Sequence, residues 1–379
     1  MFVAGIICTA IFSLLTIYFT GNWEIFCERV RVLLGRGSKR FYVGKFDIEK
    51  EIRKHGIQIG GFAFPIKRLI GGDGKIKYTY PGGIICEWNP APLELPRDLK
   101  MAIPRFVEKR KEEAARRGAV FVQRQHVRID DYEIGLYGLE DDPWPLKLII
   151  SITDYYTIQA THASIDEVLP GGLTIREKYA QEPGDLKNSV LANPLAVNLS
   201  VITNDKVIYL AIRGRKAAVN PAGFAPAVSG TGNPHLDRDA NGNYDPFLTA
   251  QRETEEEVGV RPELSEIVFF GLARTLKFQY PFLFGEVRFR DLTASELESK
   301  FPRDIWETEA VVGIPFDPSS ILSFIRKVYA EMEERQIINT GTYAALFSLL
   351  MSLLYEYPDE WSQIAKDLAA IRRTGTHKR

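Results

Sequence analysis

Cysteine is scarce in this chain: its 379 residues hold three, Cys8, Cys27 and Cys86. They are scattered, without metal-ligand spacing, which excludes a disulfide framework and fits a reducing compartment. Histidine is sparse too, with five copies. His126 and His162 have no second His, Cys or paired carboxylate at ligand spacing, so each reads as a surface or hydrogen-bonded core histidine. Excess charge is absent: 48 basic against 49 acidic residues leave a formal net charge of −1. A nucleic-acid surface usually comes with a basic domain, so no nucleic-acid partner is expected. No repeat or low-complexity tract stands out. What remains is ordinary for a folded protein: 45% hydrophobic and 26% charged residues, on a chain long enough for two modest domains.

One stretch lacks charge altogether. Met1–Trp23 has no charged residue, and most of Met1–Phe19 is apolar. About 20 helical residues span roughly 30 Å, the hydrocarbon thickness of a bilayer. Arg29, Arg31, Arg36, Lys39, Arg40 and Lys45 follow. Basic flanks mark the cytoplasmic side. The expectation is an uncleaved single-pass anchor over residues 1–22, with the soluble domains in the cytoplasm. A buried helix, or a helix pairing copies into a homo-oligomer, is the competing reading. Residues 23–46 form a basic connector.

The most informative line is Arg252-Glu-Thr-Glu-Glu-Glu-Val-Gly-Val260. On a helix, Glu257 lies roughly 40° to one side of Glu253 and Glu256 roughly 60° to the other. Three like charges on one face repel unless something positive sits there. A hard divalent cation takes oxygen ligands and often comes with phosphate. Asp245-Pro246 is a helix start, and Gly259 suits a left-handed C-cap. Phe247, Ala250, Thr254 and Val258 form a neighbouring stripe for packing. The bland alternative is an exposed acidic helix end.

These nine residues resemble the second half of the Nudix box, Arg-Glu-apolar-x-Glu-Glu-x-Gly-apolar, and the likeness runs over roughly residues 190–315. The first half departs from the pattern. Tyr244 stands where the box has Glu, Arg238 where it has Gly, and Thr254 replaces an aliphatic residue. Either Asn233–Asn243 is an insertion, with Gly230 or Gly232 as the early glycine, or the site is decayed. The resemblance implies an α/β/α sandwich with a mixed sheet over residues 188–317. Around it we expect an N-terminal α+β accessory domain over 47–187 and a helical segment over 318–379, an α+β chain as a whole. Leu148–Thr161 is expected as a strand, Asp98–Arg117 as a helix kinked near Pro104, and Tyr343–Tyr355 as core or dimer packing.

The resemblance further implies hydrolysis of a nucleoside diphosphate linked to another group, with Mg²⁺ or Mn²⁺ as cofactor. Glu256 and Glu257 would then ligate the metal. Glu253 would orient or deprotonate water, or complete the metal shell, and Arg252 would hold Glu253. Gly230 or Gly232 adds a carbonyl. Glu286 is the candidate distal acid, ahead of Glu307 and Glu309. Arg213, Arg215 and Lys216 either meet phosphates or form a solvated basic turn. Phe278, Tyr280 and Phe282 either stack on a base or pack in the core. Two other readings stand beside the enzyme: a nucleotide sensor signalling to its membrane helix, and an interaction protein whose acidic helix is incidental.

Overall fold

Asp47 begins the first helix among the described residues by accepting the Lys50 N–H at 3.1 Å. The computed structural model describes residues 47–119, 121–134, 145–214, 223–302, 308–335 and 340–376. The expected anchor (1–22) and connector (23–46) lie outside these residues. Among the described residues, no helix is long and apolar enough to cross a membrane.

Helix α1 (Ile48–His55) leads into β1 (Ile57–Ile59) and β2 (Phe62–Phe64), a hairpin turned at Gly60-Gly61 with φ of 53° and 77°. Strands β3 (Ile66–Gly71), β4 (Tyr78–Thr79) and β5 (Ile84–Trp88) follow. Helix α2 (Arg97–Arg117) runs through Pro104 as one helix and stops at Gly118 in the left-handed region. Strands β6 (Gln125–Ile134) and β7 (Leu146–Asp154) come next. Sequence reading extends β7 to Thr161, but Asp154 ends it. Its carboxylate accepts the Thr157 N–H at 3.1 Å and the Thr157 hydroxyl at 2.6 Å, capping α3 (Tyr155–Ile158), which continues as a π-turn to Ala163. A local cap outcompetes the ladder that the β-branched run favours.

After α4 (Ile175–Tyr179) come β8 (Ala196–Ile202), β9 (Val207–Arg213), β10 (Phe224–Pro226) and β11 (Val228–Thr231). Helix α5 (Pro246–Val258) starts and stops where the sequence indicates. Asp245 accepts the Phe247 N–H at 2.9 Å, Pro246 takes the first turn, and Gly259 has φ 80°. Strands β12 (Ile267–Thr275) and β13 (Pro281–Arg288), helix α6 (Ala294–Lys300), strand β14 (Thr308–Pro315) and helices α7 (Pro318–Arg335), α8 (Thr340–Glu356) and α9 (Trp361–Thr376) complete the chain.

The main sheet runs β10-β9-β8-β13-β12-β3, with β11 also on β8, β14 on β9 and β4 on β12. It is mixed: β13 pairs parallel with β8, and its other pairings are antiparallel. A second sheet, β5-β7-β6, pairs β5 parallel and β6 antiparallel to β7. Alternation along β13 sorts the two faces of the main sheet. Leu283 and Val287 join Phe247, Ala250 and Val258 of α5, whereas Phe282 and Phe284 join Phe347 and Leu350 of α8. Helix α8 is thus core, as its apolar run suggests; its Tyr355 stacks on Phe270 at 3.9 Å.

The expected boundaries at 187/188 and 317/318 do not separate independent sheets. Residues 47–379 form one compact unit. Strand β3, from the expected accessory domain, pairs with β12. The two sheets also interlock at their ends: Val127 N–H donates to Gly232 O, Leu195 N–H to Val127 O, and Gly232 N–H to Leu195 O, each at 2.8–2.9 Å.

Candidate functional site

Helix α5 lays its carboxylates against β11. Glu257 Oε2 accepts the Ser229 N–H at 2.7 Å. Glu253 abuts Gly230 so closely that a Cβ there would lie 1.8 Å from the Glu253 carboxyl carbon. Gly232 serves a second close approach, since its Cβ would lie 2.4 Å from the Tyr244 hydroxyl. Both glycines flagged in the sequence are thus required by close packing, against Glu253 of α5 and against Tyr244. Glu255 is exposed and paired with Arg261 at 2.6 Å, outside this cluster.

Arg252 organises this cluster. Its Nη1 donates to Glu253 Oε1 at 2.8 Å and to Glu256 Oε1 at 3.3 Å, and its Nη2 to Thr231 O at 3.1 Å. Its fork also clasps Asp237 bidentately, Nε to Oδ1 at 2.8 Å and Nη2 to Oδ2 at 3.0 Å. Burial opposes the guanidinium charge, but Asp237 and Glu253 outweigh it and hold its pKa above the ordinary value. Asp237 is 1% exposed and also accepts the Asn233 N–H at 2.8 Å and the Thr249 hydroxyl at 2.7 Å. Tyr244 closes the network by bonding Thr249 at 3.0 Å.

Sequence reading missed Asp237. It lies 15 positions before Arg252, inside Asn233–Asn243, not at the eight positions of the family pattern. The signal available was chemical: a half-buried arginine needs a carboxylate, and this segment carries two, Asp237 and Asp239. Thr254 fits where an aliphatic residue was expected because its hydroxyl bonds Ala250 O at 2.6 Å within the helix.

Glu253 is 9% exposed. Burial raises its pKa, Arg252 opposes, and the outcome is a carboxyl pushed up to about 7. Such a group exchanges a proton near neutrality.

Glu286 requires a correction. It shares the β13 face of Phe282 and Phe284, turned toward the C-terminal helices, while α5 covers the opposite face. Its carboxylate pairs with Arg288 at 2.8 Å, and Arg288 reaches Glu356 at 2.7 Å. Strand parity therefore separates Glu286 from the carboxylates of α5. Arg213 closes β9, its N–H on Gly223 O at 2.9 Å. Arg215, Lys216 and Glu307, and the side chain of Glu309, lie outside the described residues.

The histidines read as core or surface groups behave accordingly. His162 is buried, with Nδ1 on Phe278 O and Nε2 accepting the Asn193 N–H, each at 2.8 Å; it stacks on Tyr280 at 4.8 Å. Burial, with Arg274 nearby, pushes its pKa down to about 3. Phe282 is a core residue, whereas Tyr280 is half-buried against His162. His126 Nδ1 meets the Thr231 hydroxyl at 2.9 Å.

The arrangement offers hard oxygen donors, the chemistry Mg²⁺ or Mn²⁺ requires. The side chains are turned to Arg252 and Ser229: among the described residues, no three His, Cys, Asp or Glu side chains stand in a metal-holding group.

No family model matches the chain. No curated protein matches it either. Among solved structures, the crystal structure of DR0079 from Deinococcus radiodurans aligns over 38% of this chain and 82% of that one, at 16% identity and a TM-score of 0.24. A likeness that loose adds nothing to either fold or function.

Proposed function

We propose that the protein is a metal-dependent hydrolase of the Nudix type, with a Nudix-like fold over residues 188–317. It would cleave the pyrophosphate bond of a nucleoside diphosphate linked to another group. One observation carries the reading: on one helix, Glu253 and Glu256 share Arg252 while Glu257 accepts the Ser229 N–H of β11, with Glu253 poised near neutrality. Glu256 and Glu257 would hold Mg²⁺ or Mn²⁺. The bound cation would neutralise phosphate charge and acidify water. Glu253 accepts the proton of the attacking water, the water oxygen bonds to phosphorus, and the bridging P–O bond breaks. Arg252, locked by Asp237, keeps Glu253 in place.

A second reading has its own support. The guanidinium of Arg252 lies between Glu253 and Glu256, and Tyr244 replaces the box glutamate. A nucleotide sensor without turnover would tolerate both. Full-length protein incubated with Mg²⁺ and a panel of nucleoside diphosphate derivatives separates the two. Hydrolysis reduced at least a hundredfold by Glu257→Gln supports the enzyme. Saturable nucleotide binding without products supports the sensor. Neither behaviour sinks both.

A further inference from the structure

The second sheet reaches toward α5 through the side chain of His126. This residue, near the start of β6, shares a hydrogen bond with the Thr231 hydroxyl, Nδ1 to Oγ1 at 2.9 Å. The next residue, Val127, donates its N–H to Gly232 O at 2.9 Å. Two successive residues of β6 thus grip the last residue of β11 and the glycine after it.

Strand β11 is the surface against which α5 is set. The Ser229 N–H donates to Glu257 at 2.7 Å, Gly230 leaves room for the Glu253 carboxyl, and Thr231 O accepts Arg252 Nη2 at 3.1 Å. Arg252 Nη1 in turn donates to Glu253 Oε1 at 2.8 Å. Thr231 therefore stands between His126 on its hydroxyl and Arg252 on its carbonyl, one bond short of Glu253.

The imidazole sits there at a cost. Its Nε2 is buried and, among the described residues, has no hydrogen-bond partner. A phenyl ring would fill the space without that penalty, but it would lose the Nδ1 contact with Thr231. Burial first, then the Arg124 charge, push the imidazole pKa down to about 4, so the ring is neutral near pH 7. Neutrality suits the position, because Arg252 is close enough to disfavour a second cation.

We propose that His126 is a positioning residue: by fixing Thr231 it keeps the Thr231 carbonyl on Arg252, and Arg252 on Glu253. This role rests on the reading of Glu253 as the base. His126 acts through Thr231 and Arg252, not on the substrate. Its loss should misplace the Glu253 carboxylate while the bonds from Ser229 to Glu257 and from Arg252 to Asp237 remain. A misplacement of about 1 Å costs up to roughly a hundredfold in rate.

Steady-state kinetics of full-length protein with Mg²⁺ and a panel of nucleoside diphosphate derivatives test this, beside thermal melts that need no turnover. His126→Phe and Thr231→Val should each lower kcat about tenfold and leave KM within about twofold. The double variant should be no slower than either single one, because both remove the same bond. His126→Asn, whose side-chain amide reaches toward the same hydroxyl, should recover most of kcat. In the melts, the shift caused by His126→Phe should differ by about 2 °C or more between the unaltered protein and an Arg252→Lys variant, whose single ammonium cannot hold Thr231 and Glu253 together. Unchanged kcat in both single variants overturns the proposal. So does a double variant whose losses multiply, or an identical melting shift in the two backgrounds. A chain that hydrolyses nothing in the panel fails the enzymatic reading instead, and the melts alone then decide whether His126 acts on Arg252.

Discussion

Glu253 carries the sharpest residue-scale consequence. Its pKa of about 7, against an ordinary 4.5, means that the fold disfavours its ionised form. The sign follows directly. Its contribution to stability is full below pH 4.5, is lost as pH rises toward 7, and stays lost above. The gap sets a ceiling of roughly 3 kcal/mol. Without a divalent cation, Glu253→Gln should therefore melt higher than the unaltered protein at pH 8, by on the order of 2 kcal/mol, and equally at pH 4. Thermal melts in EDTA at both pH values measure this. Equal melting at pH 8 would mean that Arg252 fully offsets the burial. Added Mg²⁺ should stabilise the unaltered protein at pH 8 and the variant less, because an ion favours the carboxylate.

Much at this scale is legible in the amino-acid sequence. The Asp245 cap, Pro246, the Gly259 stop and the three-carboxylate face follow from helical spacing alone. Asp237 is not legible there, because its pairing with Arg252 is made across a loop whose path no local rule dictates. Glu286 is half legible. Its place on a strand follows from pattern, but which face it joins depends on which neighbours cover that face.

Elements show the same division. The strand pair Ala196–Ile202 and Val207–Arg213 and the three C-terminal helices follow apolar periodicity. The early end of β7 turns on one side chain, Asp154, that a β-rich window conceals. The C-terminal helices look like an appendix in sequence, yet they cover one face of the main sheet. Phe64, Phe270, Phe282 and Phe284 are buried in their layer. Each is worth about 2 kcal/mol of burial, a total comparable with the whole stability of a typical domain. Deleting residues 318–379 should therefore leave a chain without a cooperative melt and largely insoluble. Recovery of a soluble fragment with the native far-UV spectrum and a single transition would show that the layer is dispensable.

At the scale of the whole molecule, the uncharged opening stretch and its basic flank motivate a membrane-anchored arrangement, with the described unit on the cytoplasmic side. Full-length protein should remain with membranes after a carbonate wash, and removal of residues 1–22 should free it. Release of the intact chain by the wash would remove the anchor.

The pairing of β3 with β12 reaches further than architecture. A ribosome finishes Ile66–Gly71 long before it reaches Ile267–Thr275. At about 5–20 residues per second, the wait is on the order of ten to forty seconds. Throughout it, the early hairpin and its phenylalanines have no lasting shelter. Closure of the sheet is thus a late event, and pairing between segments so far apart in the chain slows folding.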